Sequence, residues 1–185
     1  MPTSATSTSN ERRRREGGFT LIEIGLVLLI IATVVALVVP RFRDQSLQEL
    51  QSQTRKLAAT FRFLQEEAIL NGRVYRLNFD LDQQRYFVTE ADLEDESAFK
   101  QTTTGVLSHD VILPSTVQIA DVDTPESGGK LYEGVALAHF FPDGFVEPMA
   151  VHLQNGQEFY TLYVANGLTG RAHVAAGYID LGAPS

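Results

Sequence analysis

Ser108-His109-Asp110 sets side by side the three side-chain types of a hydrolytic triad. Adjacent residues of an extended strand point to opposite faces, so a strand here cannot line up nucleophile, base and orienting acid. A Gly-x-Ser-x-Gly elbow to present a serine is missing from the chain. His109, His139, His152 and His173 lack a metal-like spacing such as His-x-x-x-His and read as surface or strand histidines. The carboxylates Glu90, Asp92, Glu94, Asp95 and Glu96 lack the register, loop glycine and closing glutamate of a calcium loop and read as solvated. The glycine-rich segments carry no phosphate-loop pattern. The sequence therefore points to no catalytic site, no cofactor and no metal.

One carboxylate stands where its chemistry is costly. From Phe19 to Val39 the chain is apolar with a single charge, Glu23, and its length of about 20 residues suits a helix crossing a hydrocarbon core of about 30 Å. A carboxylate at lipid depth costs about 2.5–3.5 kcal/mol on insertion scales, so Glu23 calls for a partner. Ahead of the span lie Arg12-Arg13-Arg14-Arg15 and then Gly17-Gly18. A secretory signal has its small-residue cleavage site after the apolar region; cleavage between Gly18 and Phe19 instead keeps the span and removes only the charged leader.

Gly18-Phe19-Thr20-Leu21-Ile22-Glu23 resembles the type IV prepilin signal, and Pro40 matches a proline frequent in that family. The resemblance implies that a prepilin peptidase cuts after Gly18 and methylates the new N-terminal Phe19. Independently of the family, such a cut exposes an α-amine with an ordinary pKa of about 7.7–8.0, and methylation preserves its positive charge. In staggered parallel helices the Glu23 carboxylate of one subunit can meet the amine of its neighbour, each offsetting the other's desolvation. Two alternatives stay open: Glu23 takes up a proton, or it pairs with its own amine one turn away.

The rest of the chain is built around this segment. With 15 Lys+Arg against 23 Asp+Glu the net charge is -8, and loss of residues 1–18 removes more arginine than glutamate. Such a surface repels nucleic acid. The arginines before the span keep the N-terminus cytoplasmic and send the bulk of the chain across the membrane, with Arg41 and Arg43 opposing weakly. The absence of cysteine rules out disulfides and thiol chemistry.

After Pro40, Leu47, Leu50, Leu57, Phe61, Leu64 and Ala68 make one helical face, with Gln48, Glu49, Gln51, Gln53, Arg55, Lys56, Arg62 and Glu66 opposite. The spacing predicts one helix from about Thr20 to Leu70, about 75 Å long, able to kink at Pro40 and capped by Asn71-Gly72. Beyond it the period falls to two. A hairpin is expected at Val74–Phe79 and Arg85–Thr89, a loop over 90–104, and strands at Val106–Leu113, Thr116–Val122, Gly134–Phe141, Phe145–Leu153 and Glu158–Val164, with an edge at Arg171–Ala176. Pro142-Asp143-Gly144 and Asn155-Gly156 mark turns. The fold class is α+β: a long N-terminal helix, its second half packed on an antiparallel roll or sandwich. The expected divisions are a leader at 1–18, a transmembrane helix at 19–39, its amphipathic continuation at 40–72 and a β-rich domain at 73–185.

Leu57 to Thr89, Phe141-Pro142-Asp143-Gly144 and Thr169-Gly170-Arg171 resemble the GspH/FimT domain of H-type minor pseudopilins and of minor pilins. The resemblance implies a single-pass bacterial inner-membrane protein with a periplasmic domain. It would be a structural subunit of a type II secretion pseudopilus, with the other minor pseudopilins, the major pseudopilin, the prepilin peptidase and membrane lipid as partners. The alternative is a FimT/FimU-like minor pilin acting in pilus assembly or DNA uptake. Gly170-Arg171-Ala172-His173 departs from the Gly-Arg-x-Arg tail of that group, which counts against nucleic acid.

Overall fold

The computed structural model describes residues 20–92, 98–102, 108–125 and 127–180, with the backbone alone for 38–45. It divides into two compact units, Met1–Arg41 and Phe42–Ser185, described separately below. One helix, α1 (Leu21–Asn71), contributes to both.

In the first unit Thr20 stands just before α1 and caps it. Its Oγ1 and carbonyl O accept the Glu23 N–H at 3.3 and 3.1 Å, and the same carbonyl accepts the Ile24 N–H at 3.2 Å. Among the described residues no helix is long and apolar enough to cross a membrane. The described side chains of this stretch end at Leu37, short of the about 20 residues a spanning helix needs, and Val38 and Val39 lie outside them.

In the second unit α1 buries the expected stripe of Leu50, Leu57, Phe61, Leu64 and Ala68. The seven-residue gap between Leu50 and Leu57 is filled by buried Thr54, whose hydroxyl donates to the Leu50 carbonyl at 2.7 Å. Satisfying its own hydroxyl lets a polar residue sit in an apolar seam. Gln53, expected on the polar face, is also buried and donates to Glu49 Oε1 at 2.6 Å. The helix ends as expected: Gly72 has φ 64°, and the Arg73 N–H returns to the Ala68 carbonyl at 3.3 Å, a Schellman closure.

The strands form two five-stranded antiparallel sheets. The first contains β1 (Tyr75–Asp80), β2 (Arg85–Ala91), β3 (Phe99–Gln101), β4 (Val111–Ile112) and β7 (Val135–Phe140). The second runs β10 (His173–Ala176), β9 (Glu158–Val164), β8 (Met149–Asn155), β5 (Gln118–Thr124), β6 (Gly129–Leu131). Phe61 of α1 packs on Phe79 of β1 and edge-on against Phe140 of β7, with centroids 6.4 and 5.2 Å apart, so the helix covers the first sheet. Near the start of this part of α1, Gln51 donates to the Tyr160 hydroxyl at 2.7 Å and Asn155 donates to the Ser46 carbonyl at 3.1 Å, which ties in the second sheet. The sheets also meet through Gln84, whose side chain exchanges hydrogen bonds with the Ile119 backbone at 2.6 and 3.3 Å.

The α+β expectation holds, with local corrections. The loop expected over 90–104 contains β3, paired with β2, and Gly129–Leu131, outside every expected strand, form β6, paired with β5. The strand expected at Val106–Leu113 reduces to β4; residues 103–107 lie outside the described ones. The strand expected from Phe145 begins at Met149, because Pro148 offers no N–H to a ladder. Asn155 pairs with Glu158, so the hairpin turns on Gly156-Gln157 rather than Asn155-Gly156. Gly156, at φ 61°, takes the first loop position, where a II′ turn requires glycine.

Candidate assembly surface

The first unit presents apolar side chains on every side of α1. Leu26, Val27, Leu28 and Leu29, each about 100° on from the last around the helix, are 57, 45, 60 and 63% exposed. A helix that is hydrophobic all round is built for apolar surroundings. Glu23 lies in its first turn, and Gly18 and Phe19 lie outside the described residues. Thr20-Leu21-Ile22-Glu23 is also the sequence of a capping box, a signal that the reading of Glu23 from its charge alone passed over. First-turn placement of a carboxylate is worth about 0.3–1 kcal/mol, well below the about 2.5–3.5 kcal/mol cost at lipid depth.

In the second unit the two glycine turns singled out in the sequence meet on α1. The Gly144 N–H donates to the Phe141 carbonyl at 3.0 Å, closing the first turn with Gly144 at φ 86°. The Gly170 N–H closes the second on the Asn166 and Gly167 carbonyls at 3.2 and 3.1 Å. Gln65 reaches from the helix between them, its Nε2 donating to the Gly144 carbonyl at 2.9 Å and the Thr169 carbonyl at 3.3 Å. Gly170, at φ 57°, has no room for a side chain: a Cβ there would lie 2.0 Å from Gln65 Nε2 and 2.8 Å from the Gly144 carbonyl oxygen.

The histidines divide by environment. His152 on β8 is fully buried, opposite Asp121 because a bulge between Ile119 and Asp121 shifts the β5 register. Its Nδ1 lies 2.7 Å from Asp121 Oδ1 and its Nε2 lies 2.9 Å from the Ile179 carbonyl. The Ile179 carbonyl only accepts, so Nε2 donates to it and Nδ1 is left facing the Asp121 carboxyl. Tyr178 stacks on it at 3.8 Å and donates to Asp121 at 3.1 Å, so residues 177–180 close over the sheet. Nothing in the sequence marks this pairing, because the partners are far apart in the chain.

His139 accepts from Arg76 Nε at 2.9 Å through Nε2, which leaves Nδ1 to donate to Glu147 Oε2 at 2.8 Å. Arg76 also lies over the Phe99 ring at 3.7 Å. Burial pushes the Glu147 carboxyl up, but the His139 ring and backbone N–H and the Arg76 cation outweigh this and leave it below its ordinary value. These groups line an open cleft of about 560 Å³.

Ser108-His109-Asp110 is not on a strand, so the strand argument against it does not apply. Ser108 Oγ and His109 Nδ1 are 2.9 Å apart, whereas Asp110 bonds Arg85 and accepts from Gln101 at 2.9 Å. The orienting acid thus turns away from the His109 ring. Of the acidic run, Glu90 pairs with Arg73 at 3.6 Å and Asp92 pairs with Lys100; Glu94, Asp95 and Glu96 lie outside the described residues. Among the described residues no group of three or more His, Asp or Glu could hold a metal ion.

The profile of the family described as Type II transport protein GspH matches residues 53–170. The chain belongs to the GspH family. The match to GspH opens at Gln53 and closes at Gly170, so it takes in Gln65 and both glycine turns. Among curated relatives, type II secretion system protein H of Aeromonas hydrophila is 27% identical over 161 residues, covering 80% of this chain and 85% of that protein. The protein of the same name from Pseudomonas aeruginosa is 38% identical over 71 residues, 37% of this chain and 41% of that protein. Two solved structures of the minor pseudopilin EpsH from the type II secretion system of Vibrio cholerae share the fold. Their TM-scores are 0.55 and 0.57 at 18% and 16% identity, covering 69% and 72% of this chain and 97% and 98% of theirs. The GspH-type pseudopilin expected from the sequence is borne out.

Proposed function

We propose that the chain works as a minor pseudopilin, a structural subunit that assembles with other pseudopilins in a type II secretion pseudopilus. In this reading Phe19–Val39 crosses the bacterial inner membrane once, with the N-terminus cytoplasmic and the β-rich domain periplasmic. The prepilin peptidase cuts after Gly18 and methylates Phe19. The other minor pseudopilins and the major pseudopilin then pack along α1, with lipid around the remainder.

The observation that carries this reading is the bare apolar circumference of α1 from Leu21 to Leu37, whose one charge is Glu23 and whose Thr33 satisfies its hydroxyl on the Leu29 carbonyl at 2.8 Å. Helix capping offsets less than half of the carboxylate's cost, which leaves a role for the α-amine of a neighbouring subunit. Register between subunits follows from that pair. Glu23→Ala tests it: the leader is still removed, because cleavage reads the Gly18 side, while recovery of the protein with partner pseudopilins falls at least tenfold. Undiminished co-purification of processed Glu23→Ala protein contradicts the assembly role of the carboxylate.

A further inference from the structure

The second unit pairs most of its cations internally. Arg73 meets Glu90 at 3.6 Å, Arg85 meets Asp80 at 3.1 Å, Lys130 meets Asp180 at 2.8 Å, and Lys100 meets Asp92. Arg76 is held by His139 and Phe99. Of the cations left over, Lys56 is exposed on α1, and Arg55, Arg62 and Arg171 gather in one place, a groove that Lys56 does not line. Arg55 and Arg171 have no hydrogen bond or ion pair among the described residues. Arg62 reaches only the exposed Glu66, at 3.9 Å, a distance and setting that contribute little. All three border a groove of about 680 Å³ between α1 and the turn that follows Thr169. Its lining includes Ala58, Ala59 and Ala172, small side chains that leave room for another chain to approach. His173, stacked on Tyr163 at 5.5 Å, also lines it. Arg55 and Arg62 are seven residues apart, two turns on one helix face.

We propose that this groove is a docking site for a carboxylate-bearing segment of an adjoining protein subunit, with Asp or Glu side chains held between Arg55 and Arg62 of α1 and Arg171 of the facing turn. The proposal rests on the pseudopilin reading and adds to it which surface of the domain is engaged and what chemistry engages it. Charge complementarity is the argument. A chain with 23 acidic against 15 basic residues keeps on one groove a cluster of arginine whose one internal ion pair is the exposed Arg62–Glu66 contact, and arginine is the side chain suited to bidentate binding of carboxylate. Nucleic acid fits less well, because phosphates continuing beyond so short a cluster would meet an acidic surface.

The test uses the full-length chain assembled with its pseudopilin partners. Arg55→Lys and Arg171→Lys keep the charge and supply an amine, which a carbodiimide joins only to a carboxylate in contact with it. Mass spectrometry is expected to find an amide between the new lysine and an Asp or Glu of another subunit. Arg55→Glu combined with Arg171→Glu is expected to lower partner recovery at least tenfold at low salt. Assemblies that carry the variants but yield no intersubunit amide overturn the proposal, as does retention of nucleic acid through these arginines in place of protein. Sequencing the N-terminus of the same sample separates this from failure of the wider reading: a chain begun at Phe19 and partner-bound, yet without the amide, sinks the groove alone.

Discussion

Gly170→Ala probes the junction on which both glycine turns and α1 converge. An L side chain at φ 57° costs about 1–2 kcal/mol in backbone strain. The new Cβ would occupy the place of Gln65 Nε2, 2.0 Å away, and displace its bonds to the Gly144 and Thr169 carbonyls. Two such bonds contribute about 0.5–1.5 kcal/mol each. The expected loss is about 2–5 kcal/mol, or a fall in Tm of about 4–20 °C for a chain of this size. The chain contains no Trp, so urea unfolding of the detergent-solubilised full-length protein is best followed by far-UV circular dichroism. The cycle with Gln65→Ala isolates the contact. In that background Gly170→Ala should cost the strain and the close approach to the Gly144 carbonyl oxygen but no longer the Gln65 bonds, so the two substitutions fall short of additivity by about 1–3 kcal/mol. A Gly170→Ala protein within about 0.5 kcal/mol of the parent, or equal costs in both backgrounds, refutes the reasoning.

His152→Ala removes the ring that holds Asp121 and leaves a buried carboxylate with the Tyr178 hydroxyl alone, so a loss of about 3–5 kcal/mol is expected by chemical denaturation. The same change frees residues 177–180, which hydrogen exchange at the Ile179 amide, bonded to Thr161 at 3.0 Å, should detect as lost protection. The Glu147 carboxyl is lowered in the folded state, so its contribution is present above the ordinary carboxylate value of about 4.3 and is lost as pH falls through the folded one. Glu147→Gln is therefore expected to lower stability at neutral pH and to flatten the decline on acidification, read from unfolding midpoints across pH 3–7.

Patterns repeated within one element were legible in the sequence. The α1 stripe, the Asn71-Gly72 cap and the β1–β2 hairpin follow from local periodicity and turn chemistry, and their register came out almost unchanged. Contacts between distant segments were not legible. Thr54 looks polar until the Leu50 carbonyl is seen to take its hydroxyl, and β3 and β6 are three-residue edges whose residues become strands only beside β2 and β5. Asp121 and His152 each looked ordinary, because a bulge in β5 is what sets them opposite one another. The arginine groove had half a signal, since Arg55 and Arg62 share a helix face, but Arg171 joins them only through the turn at Gly170. The chemistry proposed for Gly18, Phe19 and Glu23 is the reverse case. It is written almost wholly in the sequence, because a peptidase reads a linear segment.

Intact-mass and N-terminal fragment analysis of the protein recovered from assembled pseudopili tests the account most directly. The account requires a chain that begins at methylated Phe19 and lacks residues 1–18, with its amine free to pair with Glu23 of a neighbour. Assembled protein that still carries Arg12 to Arg15 contradicts it.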